Sequence, residues 1–373
     1  MKVLQITTHL NIGGISNYIL SLSKALKDEG FEVALASSGG ELEGEFRDLG
    51  VNHNKIGILT KFEFGPKVIM SVPSIVRFIR KEKIDVIHAH TRVSQVAACL
   101  ASLVSGVPFV STCHGYFKKR ARGVLDTWGR KVIAISAAVQ KHLVEDLGVK
   151  RDRVKLVYSG VDADKFSALY SREDIEAAKR SLGIGGKMVA GTIGRLSPVK
   201  GQRFFIEAMS EVLKIKPDTI GLVVGSGPEE SALKDKVRSL GMESSIKFIN
   251  SVSELGADSL TDTRKILAIM DVFVFPSIKE GLGIALLEAL ASGKACVASR
   301  VGGIEDIITD RESGLLTGSG DISAISKSIL EFLSDDILRA RMGDNGRRMV
   351  REKFTLKRMA REVAEVYRSV VES

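Results

Sequence analysis

The sequence predicts an α/β protein with two doubly wound domains, each built on a parallel β-sheet. Its 373 residues suit two domains, since a domain usually takes roughly 100–200 residues. Short apolar segments alternate with segments of helical periodicity, and this series occurs twice along the chain. Strands that alternate with helices form parallel sheets covered on both faces. Because such sheets bind ligands beyond the carboxyl ends of their strands, we expect the two domains to face a central cleft.

The first series of strands and helices begins at the amino terminus. The apolar segment Val3–Thr7 predicts a strand, and the glycine-containing loop His9–Gly14 follows it. Residues Ile15–Lys27 carry apolar side chains near helical spacing, which predicts a helix. The other strands of this series are predicted at Phe31–Ala36, Asp85–His88, Phe109–Thr112 and Val132–Ile135.

The second series begins near Lys187 and ends in three predicted helices within Ile322–Val371. Its strands are predicted at Met188–Ile193, Gly221–Val224, Ile246–Ile249, Val272–Phe275 and Ala295–Ala298. The segment Gly160–Ser181 has little strand character and is interpreted as the connection between the domains. We therefore predict an N-terminal domain at 1–165, a C-terminal domain at 166–355, and a last helix at 356–373 that packs back toward the first domain.

Composition excludes several classes of protein. A hydrophobic content of 44% and a charged content of 27% are typical of globular proteins rather than disordered chains. The three cysteines lack metal-finger spacing, which excludes a disulfide framework and suits a reducing compartment. The amino terminus does not resemble a signal peptide, and no apolar stretch reaches the ~20 residues of a spanning helix. We therefore expect a soluble, cytoplasmic protein.

The positive charge of the chain is concentrated in one region. The net charge is +9, and the segment from Arg77 to Lys131 holds eleven basic and three acidic residues, a local charge of +8. Such a field favours phosphates or an anionic membrane surface, although two solvated helices would also explain it. Nucleic acid is not expected as a partner, because the segment has few aromatic residues and no nucleic-acid-binding signature.

The segment from Phe275 to Ala289 predicts a strand, a glycine turn and a helix that starts near Leu282. Backbone N–H groups at such a helix start bind anions. Gly281 and Glu288 are seven residues apart, or roughly 10 Å along a helix axis, which is the scale of a nucleotide. The pattern predicts a phosphate at the helix start, a ribose near Glu288, and a sugar hydroxyl within reach of Glu280.

Two further loops carry residues suited to phosphates. Gly194–Gly201 follows a predicted strand and offers Arg195 and Lys200, which suit a diphosphate; a pair of exposed basic side chains is the plainer interpretation. Gly13 and Gly14 allow a phosphate or acceptor to approach the backbone closely, or else form a simple turn. The turn Gly225–Glu230 lacks the third glycine of a dinucleotide-binding loop and is interpreted as structural.

These motifs resemble those of GT-B glycosyltransferases, specifically the retaining family 4 (glycosyltransferase group 1). The segment Glu280–Glu288 resembles the family's E-x7-E signature, and Gly194–Gly201 resembles its G-R-L-x-x-x-K-G motif. The resemblance implies two Rossmann-like domains, with the acceptor bound by the first and a nucleotide-sugar donor bound by the second. It implies catalytic roles for Glu280, Arg195, Lys200 and His114, of which His114 would contact the donor sugar. The donor-binding residues that it implies are Gly13, Gly14, Gly194, Gly281, Leu282, Gly283, Ile284 and Glu288.

The reaction implied is transfer of a sugar to a hydroxyl acceptor with retention at the anomeric carbon and without a metal ion or other cofactor. The pathway expected is bacterial cell-surface polysaccharide, lipopolysaccharide or glycolipid biosynthesis, with a saccharide or lipid-linked acceptor. A zinc site built from residues such as His88, His90, Cys113 and His114 is an alternative, but the resemblance already explains a His-x-His at that strand end without a metal. A nucleotide-sugar 2-epimerase and a non-catalytic nucleotide-sugar-binding protein remain as alternative functions.

A membrane contact is also implied, because lipid-acceptor members of the family dock on anionic membranes through basic and apolar residues of the first domain. The residues expected at that surface are Lys118, Lys119, Arg120 and Arg122. They would place the protein peripherally on the cytoplasmic face of the inner membrane.

Overall fold

The computed structural model describes residues 1–117, 127–167, 170–250 and 263–372. These residues form two compact units. The first consists of Met1–Gly160 together with Leu356–Ser373, and the second of Val161–Thr355. Each unit contains one parallel sheet with helices packed against it, and the two are described in turn.

The first unit holds a seven-stranded sheet in which every neighbouring pair of strands is parallel. Its strands are β1 (Lys2–Ile6), β2 (Glu32–Ser37), β3 (Asn52–Lys55), β4 (Val86–Ala89), β5 (Phe109–Cys113), β6 (Lys131–Ala134) and β7 (Val154–Leu156). Its helices up to the end of the sheet are α1 (Gly14–Asp28), α2 (Glu43–Asp48), α3 (Pro66–Glu82), α4 (Arg92–Ser105) and α5 (Ala137–Lys141). The strand order is β3-β2-β1-β4-β5-β6-β7.

The second unit holds a six-stranded parallel sheet. Its strands are β8 (Val189–Ile193), β9 (Ile220–Val224), β10 (Ile246–Ile249), β11 (Val272–Phe275), β12 (Ala295–Ser299) and β13 (Leu315–Thr317). Its helices are α6 (Ala163–Ser167), α7 (Arg172–Ser181), α8 (Gln202–Ile215), α9 (Glu230–Ser239), α10 (Arg264–Ile269), α11 (Ile284–Ala291), α12 (Ile304–Ile307), α13 (Ile322–Ser334) and α14 (Asp336–Lys353). The strand order is β10-β9-β8-β11-β12-β13.

A last helix, α15 (Leu356–Val371), completes the first unit although it follows the second in sequence. Its buried face, which includes Met359, Val363 and Tyr367, packs in one core cluster with residues of α1 and β2. The other face of the same sheet is covered by α3 and α4, whose buried side chains form a separate cluster. The sheet of the first unit is therefore covered on both faces.

Both sheets reverse their strand order at one position. The reversal lies between β1 and β4 in the first unit and between β8 and β11 in the second. Ligands of doubly wound proteins bind outside the carboxyl ends of the strands at such a point. The loops that follow β1, β8 and β11 carry most of the predicted ligand-binding residues, and His114 follows β5.

The observed elements differ from the predicted ones in a few places. Strands β3, β7 and β13 had no counterpart in the prediction: they have three or four residues each, and the sequence of β3, Asn-His-Asn-Lys, is entirely polar. The segment predicted as a connection contains two helices, α6 and α7. Helix α11 begins at Ile284 rather than near Leu282.

Candidate functional site

The loops that follow β8 and β11 meet in the second unit. The backbone N–H of Ile278 donates a hydrogen bond to the carbonyl oxygen of Val199, at 2.8 Å. Gly201 has a left-handed backbone with φ +67°, and a Cβ atom built on it would lie 2.0 Å from the carbonyl oxygen of Pro276. Only glycine allows this approach, so Gly201 keeps the two loops in contact.

Lys200 and Glu280 form an ion pair across these two loops. Lys200 Nζ lies 2.6 Å from Glu280 Oε2, although the residues are 80 positions apart in sequence. Their side chains are 28% and 14% exposed, so ligands have access to both. Ser277 Oγ donates to the same carboxylate oxygen at 3.4 Å, and Lys200 Nζ lies 5.4 Å from the centre of the Phe275 ring. The structure thus brings two predicted catalytic side chains together.

Arg195 lies in the same loop as Lys200, with an exposed side chain and a backbone fixed from two sides. Its carbonyl oxygen accepts a hydrogen bond from Gln202 Nε2 at 3.0 Å. The adjacent Leu196 is buried, and its N–H donates to Ser226 O at 2.9 Å, while Gly194 N–H donates to Val224 O at 3.0 Å. The turn Gly225–Glu230 therefore supports the loop that carries Arg195.

The turn before α11 contains Gly281, Leu282 and Gly283, all buried, and Gly283 caps the helix. The first N–H groups of any helix lack partners within the helix, and in α11 these begin at Ile284. The predicted spacing of Gly281 and Glu288 along one helix face is wrong, because Gly281 precedes the helix. Glu288 lies one turn into α11, where its Oε2 accepts a hydrogen bond from Thr263 Oγ1 at 2.9 Å.

In the first unit, Gly13 ends the loop after β1 and Gly14 begins α1, and both residues are exposed. Gly13 has an extended backbone that any residue adopts, with φ 166°. A Cβ atom on Gly13 would have its nearest neighbour at 3.9 Å, and one on Gly14 would meet nothing within 4 Å. The fold of this unit therefore does not require glycine here, whereas a close approach by a ligand would.

His114 follows β5 and is half-buried. Its Nε2 lies 3.1 Å from Nδ1 of His90, and the ring of Tyr18 contacts it edge-on with centroids 4.7 Å apart. Burial lowers the pKa of His114 to about 3. The ring is therefore neutral at physiological pH and offers both a donor and an acceptor nitrogen.

His88 and His90, the residues considered for zinc, use their ring nitrogens in other contacts. His88 bonds to the Tyr367 hydroxyl and to Thr112 Oγ1, at 2.6 and 2.7 Å. His90 bonds to Gln5 Oε1 at 2.6 Å, besides its contact with His114. Within the described ranges, no group of three or more His, Cys, Asp or Glu side chains is placed to hold a metal ion.

The structure does not describe the predicted membrane-surface residues, and it adds two contacts of the buried histidines. Lys118, Lys119, Arg120 and Arg122 lie outside the described residues. Gln5 and Tyr367, which contact the buried histidines, were not singled out from the sequence. A polar glutamine within an otherwise apolar strand was the signal for Gln5, whereas nothing local marks Tyr367.

Two family models together match most of the chain. Residues 12–165 match the model described as Glycosyltransferase Family 4, and residues 174–349 match that of Glycosyl transferases group 1. The boundary between the two models falls close to the boundary between the two structural units.

Similar proteins align over nearly the full length. N-acetyl-alpha-D-glucosaminyl L-malate synthase of Bacillus anthracis is 24% identical, and the alignment covers 98% of this chain and 96% of the relative. UDP-Gal:alpha-D-GlcNAc-diphosphoundecaprenol alpha-1,3-galactosyltransferase of Escherichia coli is 23% identical over 96% and 95%. The crystal structure of HepE from Anabaena in complex with UDP-glucose matches with a TM-score of 0.83 and 21% identity, covering 99% of this chain and 100% of HepE. The structural likeness confirms the predicted GT-B fold.

Substitution of Gly201 tests the contact between the two loops of the second unit. In Gly201→Ala, the Cβ atom must displace the Pro276 carbonyl in addition to adopting an unfavourable φ. Gly241→Ala is a matched control, because Gly241 has φ +65° but nothing within 4 Å of its Cβ position. We expect Gly241→Ala to cost about 1–2 kcal/mol of unfolding free energy and Gly201→Ala clearly more, as measured by calorimetry. Equal losses in the two variants would contradict the close contact.

Acidification from pH 6.5 to 5, above the range in which carboxyl groups usually titrate, should lower the unfolding free energy of the first unit. Burial lowers the folded-state pKa of His88, His90 and His114, so between pH 6.5 and 5 only the unfolded chain takes up these protons. The stability present above pH 6.5 is then lost as the pH falls, by about 1.4 kcal/mol per pH unit for each histidine. Trp128, the single tryptophan, reports unfolding of this unit by fluorescence.

The variant His114→Gln provides the comparison for the pH experiment. It removes one of the titrating groups, so its unfolding free energy should fall less steeply between pH 6.5 and 5 than that of the native protein. At pH 8 both proteins should show no dependence on pH from these groups. Identical slopes on acidification would show that His114 does not stay neutral in the folded unit.

Proposed function

Because the chain belongs to the glycosyltransferases of family 4 and group 1, we propose that it transfers a sugar from a nucleoside diphosphate sugar to a hydroxyl acceptor. The transfer proceeds with retention of the anomeric configuration and without a metal ion. The observation that carries the proposal is the Lys200–Glu280 pair at 2.6 Å, located where the strand order of the second sheet reverses.

The donor's diphosphate is the group that most needs stabilisation, since negative charge accumulates on it as the glycosidic bond breaks. Lys200 supplies a mobile positive charge, and Arg195, in the same loop, supplies an exposed guanidinium. The N–H groups at the start of α11 supply fixed dipoles. Donors fixed in this way stabilise a transition state without reorganisation.

In this proposal, Glu280 has different interaction partners in the resting protein and in the donor complex. In the resting protein it neutralises Lys200. When Lys200 pairs with the diphosphate instead, the Glu280 carboxylate becomes available to accept hydrogen bonds from hydroxyls of the sugar ring. The ion pair thus keeps both side chains positioned until the donor arrives.

Glu288 is the proposed ligand of the donor's ribose. Its carboxylate accepts a hydrogen bond from Thr263, which orients it, and a carboxylate can accept several hydrogen bonds. A UDP-sugar is the first donor to test, because the Escherichia coli relative is named for UDP-Gal and HepE binds UDP-glucose.

Replacement of Lys200 tests the proposed donor site. In Lys200→Met, we expect kcat/KM for transfer to fall by roughly 10²–10³-fold, the cost of losing one preorganised donor to developing charge, together with weaker binding of UDP. Lys214→Met is the control, since Lys214 is an exposed residue of α8 paired with Glu211. The measurement is UDP release from a UDP-sugar in the presence of a chelator.

Four outcomes would contradict parts of this proposal. Equal activity of Lys200→Met and Lys214→Met would exclude Lys200 from the site. Loss of all activity in chelator, restored by a divalent cation, would contradict metal independence. An NMR spectrum of the product with inverted anomeric configuration would contradict retention, and a free 2-epimer of the nucleotide sugar would indicate an epimerase instead.

We also propose a lipid-linked or saccharide acceptor of bacterial cell-surface or glycolipid synthesis, met at the cytoplasmic face of the inner membrane. No helix of the described chain has both the length and the apolar character needed to span a bilayer, so the contact would be peripheral. The E. coli relative is named for a diphosphoundecaprenol-linked acceptor. In the first unit, an apolar surface around the start of α3 supports the proposal, and its exposed residues are Leu59, Phe62, Phe64, Ile69 and Met70.

This apolar surface has the composition of a membrane contact. Phe62 and Met70 are each 78% exposed. Large apolar patches are rarely left uncovered on soluble proteins, and those that are often mark sites of protein or membrane contact. Lys61 and Lys67 lie among these residues and complement anionic lipid headgroups. Apolar side chains that enter the headgroup region, with basic residues around them, are typical of peripheral membrane proteins.

Vesicle sedimentation tests the membrane contact. The double variant Phe62→Ser, Met70→Ser should bind anionic vesicles roughly 10²-fold more weakly or worse, since each of the two apolar side chains contributes roughly 1.5–3 kcal/mol when it is buried. Ile337→Ser is the control, because Ile337 is an exposed apolar residue of the second unit, 82% accessible. Vesicle binding unchanged in the double variant, or absent in the native protein, would exclude this surface.

A further inference from the structure

A continuous chain of buried hydrogen bonds connects His114 to the last helix. It runs through side chains of β5, β4, α15 and β1, all of the first unit. Its members in order are Thr112, His88, Tyr367, Gln5, His90 and His114. Each of the four inner members is fully buried, so no water competes for these contacts.

The amide of Gln5 determines which atom donates and which accepts along this series of hydrogen bonds. Its Nε2 lies 3.3 Å from the Tyr367 hydroxyl and acts as the donor there. Its Oε1 lies 2.6 Å from His90 Nε2, and because a carbonyl oxygen only accepts, His90 must carry its proton on Nε2. A neutral His90 then has a bare Nδ1.

The tautomer of His90 determines that of His114. The bare Nδ1 of His90 lies 3.1 Å from His114 Nε2, so a hydrogen bond forms only if His114 Nε2 carries the proton. His114 Nδ1 is then unprotonated, and it forms no hydrogen bond with any other residue that the structure describes. At the opposite end, the Tyr367 hydroxyl is free to donate to His88 Nδ1, and His88 Nε2 to Thr112 Oγ1.

The surroundings keep all three histidines neutral. Burial is the largest cause of the lowered pKa of each histidine. Repulsion between the neighbouring rings, if they were protonated, lowers the pKa of His88 and His90 further. Burial also raises the pKa of the Tyr367 hydroxyl well above its usual range, so it stays protonated. No member of the chain gains or loses a proton near neutral pH, and the direction of the chain is therefore stable.

We propose that Gln5, His90 and Tyr367 are positioning residues that hold His114 in the tautomer protonated at Nε2, so that its Nδ1 accepts a hydrogen bond from a ligand hydroxyl group. The identity of that ligand as a sugar rests on the proposed function, whereas the tautomer does not. The opposite tautomer would present an N–H group at the same place and would favour an acceptor atom of the ligand instead.

The proposal gives Tyr367 a role beyond packing. Tyr367 belongs to α15, 362 residues after Gln5 in sequence, and its hydroxyl is the group that receives the Gln5 amide. Without it, the Gln5 amide loses the acceptor that fixes which of its ends faces His90. Gln5 can then rotate, and both tautomers of His90 and His114 become accessible.

Nitrogen NMR of the full chain with ¹⁵N-labelled histidine tests the tautomer directly. The chain has six histidines, and the signals of His114 are assigned as those lost in His114→Gln. We expect a bare-nitrogen signal from Nδ1 and an N–H signal from Nε2 in the native protein. In Tyr367→Phe, part of the Nδ1 signal should move to the N–H position, while Tyr170→Phe, the same change in the second unit, should have no effect.

The outcomes separate this proposal from the proposed function. A native His114 protonated at Nδ1, or a Tyr367→Phe spectrum identical to the native one, would overturn the proposal whether or not the protein transfers sugar. Failure to transfer sugar, with His114 in the expected tautomer, would contradict the proposed function alone. Retained Trp128 fluorescence and circular dichroism in Tyr367→Phe show that the change in tautomer is not caused by unfolding.

Discussion

Between β8 and β11 the order of strands in the second sheet reverses, so that the loops leaving these two neighbouring strands lead to helices in different parts of the unit. The carboxyl ends of the two strands nevertheless stay side by side, which is what brings Lys200 within 2.6 Å of Glu280. The contact of Gly201 with the Pro276 carbonyl fixes this approach, and the turn at Ser226 supports the loop that carries Arg195. The candidate site is thus a consequence of sheet topology more than of any single helix.

The charge arrangement at this position suits a protein that must hold a highly charged ligand and release it. In the resting protein Lys200 is neutralised by Glu280 rather than left unpaired in a partly buried place, where an isolated charge is unfavourable. A diphosphate offers Lys200 a stronger partner, and the carboxylate becomes available when it does. Under the proposed function, this one exchange of partners would make Glu280 available only when the donor binds.

Most of the architecture could be predicted from the sequence, because the core strands β1, β8 and β11 are short apolar segments followed by loops with glycines at distinctive spacings. Strands β3, β7 and β13 could not, since edge strands of three or four residues carry little hydrophobic signal, and β3 is polar throughout. The start of α11 was placed two residues too early because Gly281 and Gly283 are both compatible with a turn or a cap. The contact of Gln5 with Tyr367 was beyond sequence reasoning, since only the packing of α15 on the first unit brings together residues 362 positions apart.

A crystal structure of the full chain with a UDP-sugar tests most directly whether the diphosphate of a nucleotide sugar binds where the strand order of the second sheet reverses. We expect the diphosphate within hydrogen-bonding distance of Lys200 and of the N–H groups at the start of α11, with the Lys200–Glu280 ion pair opened and the ribose at Glu288. A nucleotide bound elsewhere, for example beyond the carboxyl end of β1 in the first unit, with the ion pair intact, would contradict the account.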